Sequence, residues 1–211
     1  MMIRSLRLAR IALGLLVLPA LASAQMPAPR PGTAMVSGEN PYIRLLDKEG
    51  GKTLTMVSFW RVHWSPVGTG HVCYVTVGDA GEPGEVRVAL YDNEKLFQYL
   101  TNEILVHTNP AYRERPFKAV GGATFAPGGD SIRERVETCR GAGYDVSLAW
   151  HDLQAPELID ILPGTRPQNP CGLTFLRIIG KTADVTINGK RAPGTTFGGS
   201  ALAFGESWLK K

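Results

Sequence analysis

The sequence predicts a mainly β protein, an antiparallel β-barrel or a β-sandwich with one short α-helix near residues 93–105, on three observations. Apolar and polar residues alternate with period two through most of the chain after Tyr42, as half-buried strands require. Gly, Pro, Asn and Asp punctuate these runs at short intervals, and no strand-helix-strand rhythm signals a parallel sheet. A single stretch, from Asn93 to Leu105, changes to helical spacing. A barrel is favoured over a sandwich, because closure leaves no exposed edge.

The expected strands, in order, are 54–64, 71–77, 85–91, 117–125, 132–139, 144–151, 157–162, 173–179 and 184–187. Turns fall at 78–84, at Pro127-Gly128-Gly129-Asp130 and at Asn188-Gly189, the dipeptide that type I′ hairpins prefer. In the helix, Asp92 is placed to cap the first turn, Glu94 sits at its positive end, and Leu96, Leu100 and Ile104 form one apolar stripe. The segment from Pro163 to Pro170 is too proline-rich for a strand and is expected to be a stiff rim.

Ahead of this domain, Arg4, Arg7 and Arg10 precede an apolar stretch from Ile11 to Leu18, and Ala22-Ser23-Ala24 follows. That order is the signature of a secretory signal peptide over residues 1–24. Pro19 and the Pro-rich run after Gln25 stop the apolar segment short of a membrane span. Residues 25–41 lack periodicity and are expected to be a disordered lead-in, with a single β-rich domain over 42–211. The expected location is periplasmic or secreted, with no membrane association after cleavage. The formal net charge of +4 falls to about +1 without the leader, so the domain carries no electrostatic footprint for nucleic acid.

An oxidising compartment favours a disulfide. Of the three cysteines, Cys139 and Cys171 lie beside turn-forming residues and are the expected pair, while Cys73 sits inside an alternating strand as a small core residue.

The most informative segment is the hairpin formed by 54–64 and 71–77. Centred on Val67, it sets His63 opposite His71, Arg61 opposite Cys73, Phe59 opposite Val75 and Val57 opposite Val77. One face is then apolar at its base and basic at its mouth. The other carries Met56, Trp60, Val62, Trp64, Val72 and Tyr74, an aromatic surface that needs covering. His63, His71 and Cys73 are near enough there to suggest a metal, but a third or fourth ligand with fixed geometry is missing, so no metal site is expected. His151 needs a partner from another strand, Asp145 or Asp160 being the carboxylates considered, because its neighbour Asp152 points the other way. Arg133, Arg135 and Glu137 alternate in a charged strand expected to be a solvated face or a protected edge. Arg177 interrupts an apolar run on the side of Leu173, Phe175 and Ile179, and is expected to aim at a cavity. No Walker loop, nucleophile elbow or metalloprotease motif occurs.

These residues support three functional expectations. The leading one is an exported binding protein holding a small, partly apolar ligand with a polar or anionic end. Arg61, His63, His71 and Arg177 would meet that end, and Val57, Phe59 and Phe175 would line the body. Such a barrel resembles lipocalin-like architecture in a loose sense. The second is a periplasmic enzyme of the isomerase, hydratase or cyclase type, with His63, His71 or His151 as acid or base. The third is an accessory protein docking on another exported protein through the aromatic face. No cofactor is expected.

Overall fold

In the computed structural model, residues 33–79, 82–106, 111–130, 132–163, 171–198 and 200–210 are described; the segment expected to be a signal peptide and most of the Pro163–Pro170 segment expected to be a stiff rim lie outside them. Among the described residues the strands are β1 (Thr33–Glu39), β2 (Tyr42–Leu46), β3 (Thr53–Trp64), β4 (Gly70–Val77), β5 (Val86–Tyr91), β6 (Lys118–Val120), β7 (Thr124–Gly128), β8 (Glu134–Gly141), β9 (Tyr144–Leu153), β10 (Glu157–Ile161), β11 (Gly172–Ile187), β12 (Lys190–Arg191) and β13 (Ser200–Lys210). They form one sheet in the order β6-β5-β4-β3-β1-β13-β11-β9-β8-β7, with β2 on β3 and both β10 and β12 on β11. All pairings are antiparallel except β5 with β6. The sheet is curled into a half-barrel.

The curl has local causes. β1 and β2 share one edge of the long β3, separated at Asn40-Pro41, and β9 and β10 share one edge of β11 in the same way. A strand broken at such a point turns a corner that a continuous one resists. β13 carries a bulge where Gly205 takes a φ of 56°. The terminal strands β6 and β7 are chain neighbours joined by Gly121-Gly122-Ala123, so the sheet returns on itself. A Cβ at Gly141 on β8 would lie 3.1 Å from Val120 and 3.2 Å from Ala123.

Two cores result, one on each face. Inside the curl pack Ile43, Val57, Phe59, Cys73, Val75, Leu90, Cys139, Leu148, Trp150 and Val185. On the outer face Trp60, Val62, Val72, Tyr74 and Trp208 are covered by the helical segment through Leu96, Leu100, Ile104 and Leu105. The aromatic surface expected to need covering is thus covered by the chain's own helix. Trp60 and Tyr74 are fully buried, and only Trp64 stays half exposed.

The helix begins as expected but is built differently. Helix α1 (Glu94–Tyr99) is capped by Asn93, whose side chain accepts from Leu96 N at 3.2 Å. Asp92, the expected cap, instead accepts from His71. From Leu100 to Leu105 the turns widen to a π-helix. Its start coincides with the Phe97 carbonyl accepting two hydroxyls, Thr101 at 2.7 Å and Tyr74 at 3.2 Å. Side-chain competition for a helical carbonyl loosens the local ladder. A short helix α2 (Ala111–Glu114) follows.

Further differences from expectation have clear origins. β1 starts at Thr33, within the segment expected to be disordered, because β3 and β13 flank it on both sides. Gly38 permits that approach: a Cβ there would lie 2.2 Å from the Arg61 carbonyl oxygen and 2.8 Å from Val62 Cα. Gly38→Ala is therefore expected to destabilise by about 1–3 kcal/mol through overpacking, read as a lower urea midpoint; an unchanged midpoint would refute the close approach. β13 was not expected, since its bulge breaks the alternation. Asn188 and Gly189 both take positive φ, 51° and 74°, as the predicted I′ turn requires.

No disulfide joins any of the three cysteines. Cys139 and Cys171 cannot pair because they belong to different cores. Cys139 lies against Cys73 inside the curl, and Cys171 lies 3.4 Å from the Met35 sulfur on the helical side. Burial, reinforced by the Cys73 contact, pushes the Cys139 thiol well above its ordinary pKa. Among the described residues, no helix is long and apolar enough to cross a membrane.

Candidate functional site

The β3–β4 hairpin presents the expected faces in a shifted register. Pairing starts at Val62 with Gly70, so Arg61 lies opposite His71, Phe59 opposite Cys73 and Val57 opposite Val75. The shift arises in the turn. Gly68 donates to the Ser65 carbonyl at 3.3 Å and Asn93 fastens Thr69 O at 2.9 Å, which draws Gly70 into the ladder. Because the shift is two residues, every side chain keeps its face.

Inside the curl, the mouth is charged and the depth apolar. Strand β8 repeats the polarity of β3: Arg135 and Glu137 point inward at the mouth, and Cys139 points inward below them. Charges expected to be solvated are therefore buried, Glu137 completely and Arg135 nearly so. They close a box with Arg61 and Glu39. Arg61 donates from Nη1 to Glu39 Oε2 at 2.9 Å and from Nη2 to Glu137 Oε2 at 2.8 Å. Arg135 donates from Nε to Glu137 Oε1 at 3.0 Å, and from Nη2 to Glu137 Oε1 at 2.6 Å and to Glu39 Oε2 at 2.5 Å. Two guanidiniums and two carboxylates leave the box neutral. Burial pushes the Glu39 carboxyl up, but the hydrogen bond and charge of Arg135, with Arg61 and His63, outweigh it and hold the group below its usual range.

A polar chain runs outward from the box. Arg61 Nε faces His71 Nε2 at 3.4 Å, and His71 Nδ1 lies 2.7 Å from Asp92 Oδ2. This arrangement assigns the proton to Nδ1, donating to Asp92, and leaves the Nε2 lone pair toward Arg61. The His71 ring also stacks on Phe125 of β7, centroids 4.8 Å apart, and Phe125 meets Phe59 edge-on at 5.9 Å.

Two recesses meet at Arg61. The inner one, about 370 Å³, is lined by Glu39, Arg61, Arg135 and Glu137 on one side and by Pro127, Gly128, Leu153 and Ile178 on the other. The outer one is a wide groove along Arg61, His63, His71, Asp92, Asn93 and Lys95. His63 is exposed and lies 3.8 Å from Glu39 Oε1.

The other expected site residues fall elsewhere. Val57 and Phe59 are sealed in the inner core beneath the box and do not line the recess. Arg177 is on the face of β11 opposite Ile178, half exposed and paired with Glu157 of β10, and Phe175 shares that outer face. The alternation that put Arg177 on the side of Leu173 is correct, but that side is the outside of the curl. His151 also lies outside, its two ring nitrogens 3.0 Å from Glu134 and 3.2 Å from Asp184. Asp145 is engaged by Arg140 and Asp160 by Thr174, so neither expected carboxylate reaches it. Among the described residues, no group of three His, Cys, Asp or Glu side chains is placed to hold a metal ion.

Sequence reasoning missed Glu39, Arg135 and Glu137. The signal lay in the spacing Arg135-x-Glu137-x-Cys139, which puts two charges and a core-type residue on one face, with Arg61 needing a counter-charge of equal depth. Comparison of the chain with family models, curated proteins and solved structures finds no match.

Proposed function

We propose that this protein is an exported binding protein that seats a small, partly apolar molecule in the inner recess at the mouth of the half-barrel. The polar end of the ligand meets Arg61 and Arg135, and its apolar body lies against Pro127, Leu153 and Ile178. The observation that carries the proposal is the composition of that recess: a charged wall of fixed hydrogen-bond donors facing an apolar wall, in about 370 Å³. Ligand sites are mostly apolar with a few placed polar groups, and this volume falls at the small end of their range. Export rests on the leader sequence.

Binding is preferred to proton-transfer catalysis because the His71 nitrogen that a substrate would need is directed at Arg61. It is preferred to aromatic docking because Trp60 and Tyr74 are buried under the helix.

The test is thermal-shift screening with short branched carboxylic acids and their amides, on the wild type and on Ile178→Trp, which fills the recess. At least one compound is expected to raise the melting temperature of the wild type saturably and to leave the variant unmoved. Failure of every compound, or an equal shift in the variant, would remove the recess as the ligand's seat.

A further inference from the structure

The four charges of the box are not equivalent, and the difference bears on what the recess accepts. Glu137 is completely buried on β8 and engages both arginines with both of its oxygens. It is a fixed part of the wall. Glu39 sits at the end of β1, with a side chain 22% exposed at the rim of the recess. Its Oε2 accepts from both guanidiniums, while its Oε1 lies 3.8 Å from His63 Nε2.

We infer that Glu39 occupies the anion subsite of the recess, and that a ligand monocarboxylate enters by displacing it; this rests on the binding reading above. A carboxylate with two oxygens can serve Arg61 and Arg135 separately, where Glu39 bridges them with one, and paired N–H···O contacts of that kind are the strong ones. The exchange leaves the charge of the box unchanged. The cost of desolvating both arginines has already been met in the free protein, so the ligand competes only with Glu39. A displaced Glu39 swings outward toward exposed His63, which waits on that side. A phosphate dianion would add a charge that the box cannot balance, and a neutral amide cannot replace the carboxylate between two cations. The specified ligand is thus a monocarboxylate with a short aliphatic body, which the wall of Pro127, Leu153 and Ile178 would cover.

The experiment is calorimetric titration of 4-methylpentanoate, with 4-methylpentanamide as the neutral control, into wild type, Glu39→Asp and Glu39→Gln. Removing the resident carboxylate is expected to tighten binding of the acid at least about tenfold in Glu39→Gln. Glu39→Asp, too short to bridge both arginines, is expected to fall between. The amide should gain nothing. Because Glu39→Gln also loses an ion-pair partner, melting temperatures are read in parallel: saturating acid should raise that of Glu39→Gln more than that of the wild type. Equal affinities across the series, an equal gain for the amide, or no binding to any of the three proteins would overturn the inference. If Ile178→Trp blocks the acid while Glu39→Gln leaves its affinity unchanged, the recess stands as the ligand's seat and the displacement falls. If Glu39→Gln tightens the acid and Ile178→Trp has no effect, the displacement is supported and the recess is not.

Discussion

Glu137→Ala is expected to lower the stability of the folded protein by about 3–5 kcal/mol, the cost of breaking a buried ion pair from one side. The reason is geometric. Glu137 accepts from Arg135 through two nitrogens and from Arg61 through a third. Its removal takes from two guanidiniums, at the mouth of an apolar interior, the carboxylate that both share. The neighbouring pair Arg177–Glu157, half exposed on the outside of the same sheet, supplies the contrast: Glu157→Ala is expected to cost no more than about 1 kcal/mol, as surface pairs do. Urea unfolding of the two variants side by side measures the difference. A Glu137→Ala protein within 1 kcal/mol of the wild type would mean that water reaches the box freely and that the charges are not load-sharing partners in a dry wall.

The second large effect is a pH dependence set by Glu206. This carboxyl is fully buried between β1 and β11, where burial raises its pKa to about 7, partly offset by hydrogen bonds from Trp208 and Asn40. The Asn40 side chain continues through Ser58 to the indole of Trp60, so one buried network joins β3 and β13. The folded state holds this proton more tightly than the unfolded chain, whose glutamate titrates near 4.5. The stabilising contribution is therefore complete below pH 4.5 and is lost as the pH rises through 7. The loss amounts to about 3 kcal/mol. Glu206→Gln keeps a neutral group in the network and removes the titration. The variant is expected to match the wild type near pH 4.5 and to exceed it by up to that amount at pH 8, seen as a difference in denaturation midpoints that opens with pH. Parallel midpoints across the range would show that Glu206 is ionised, and solvated, in the folded protein.

Much of the fold was legible because alternation is a direct record of which face is wet. The β3–β4 hairpin, its apolar and aromatic faces, and the Leu96, Leu100 and Ile104 stripe were all readable from spacing. What escaped had breaks in the record. Gly205 interrupts the period of β13, and β1 is short, Gly-containing and follows a Pro-rich stretch, so neither resembles a strand until its neighbours are known. The site was half legible. Arg61 was conspicuous as a charge above an apolar base, but its partners come from β1 and β8, which are distant in sequence, and Arg135 and Glu137 look like any solvated charged strand. Cys139 was misassigned for a related reason: a turn nearby says nothing about which core a thiol enters. Arg177 had the right face and the wrong side, because alternation separates two faces without telling concave from convex.

The return of the sheet on itself leaves the half-barrel with a seam. Among the described residues no strand ladder runs between the β5–β6 and β7–β8 ends. The Ala123 N–H donates to the Tyr91 carbonyl at 3.0 Å beside it, and side chains meet across it, among them His71 on Phe125, Cys73 by Cys139, Arg61 on Glu137, Lys118 over Tyr144 and Val120 beside Gly141. A cylinder zipped all round by hydrogen bonds can open only by unzipping. Here, at the seam, side chains carry the closure that the ladder carries elsewhere, so the fit of Phe125 on His71 and of Val120 beside Gly141 completes the wall where backbone hydrogen bonds do not.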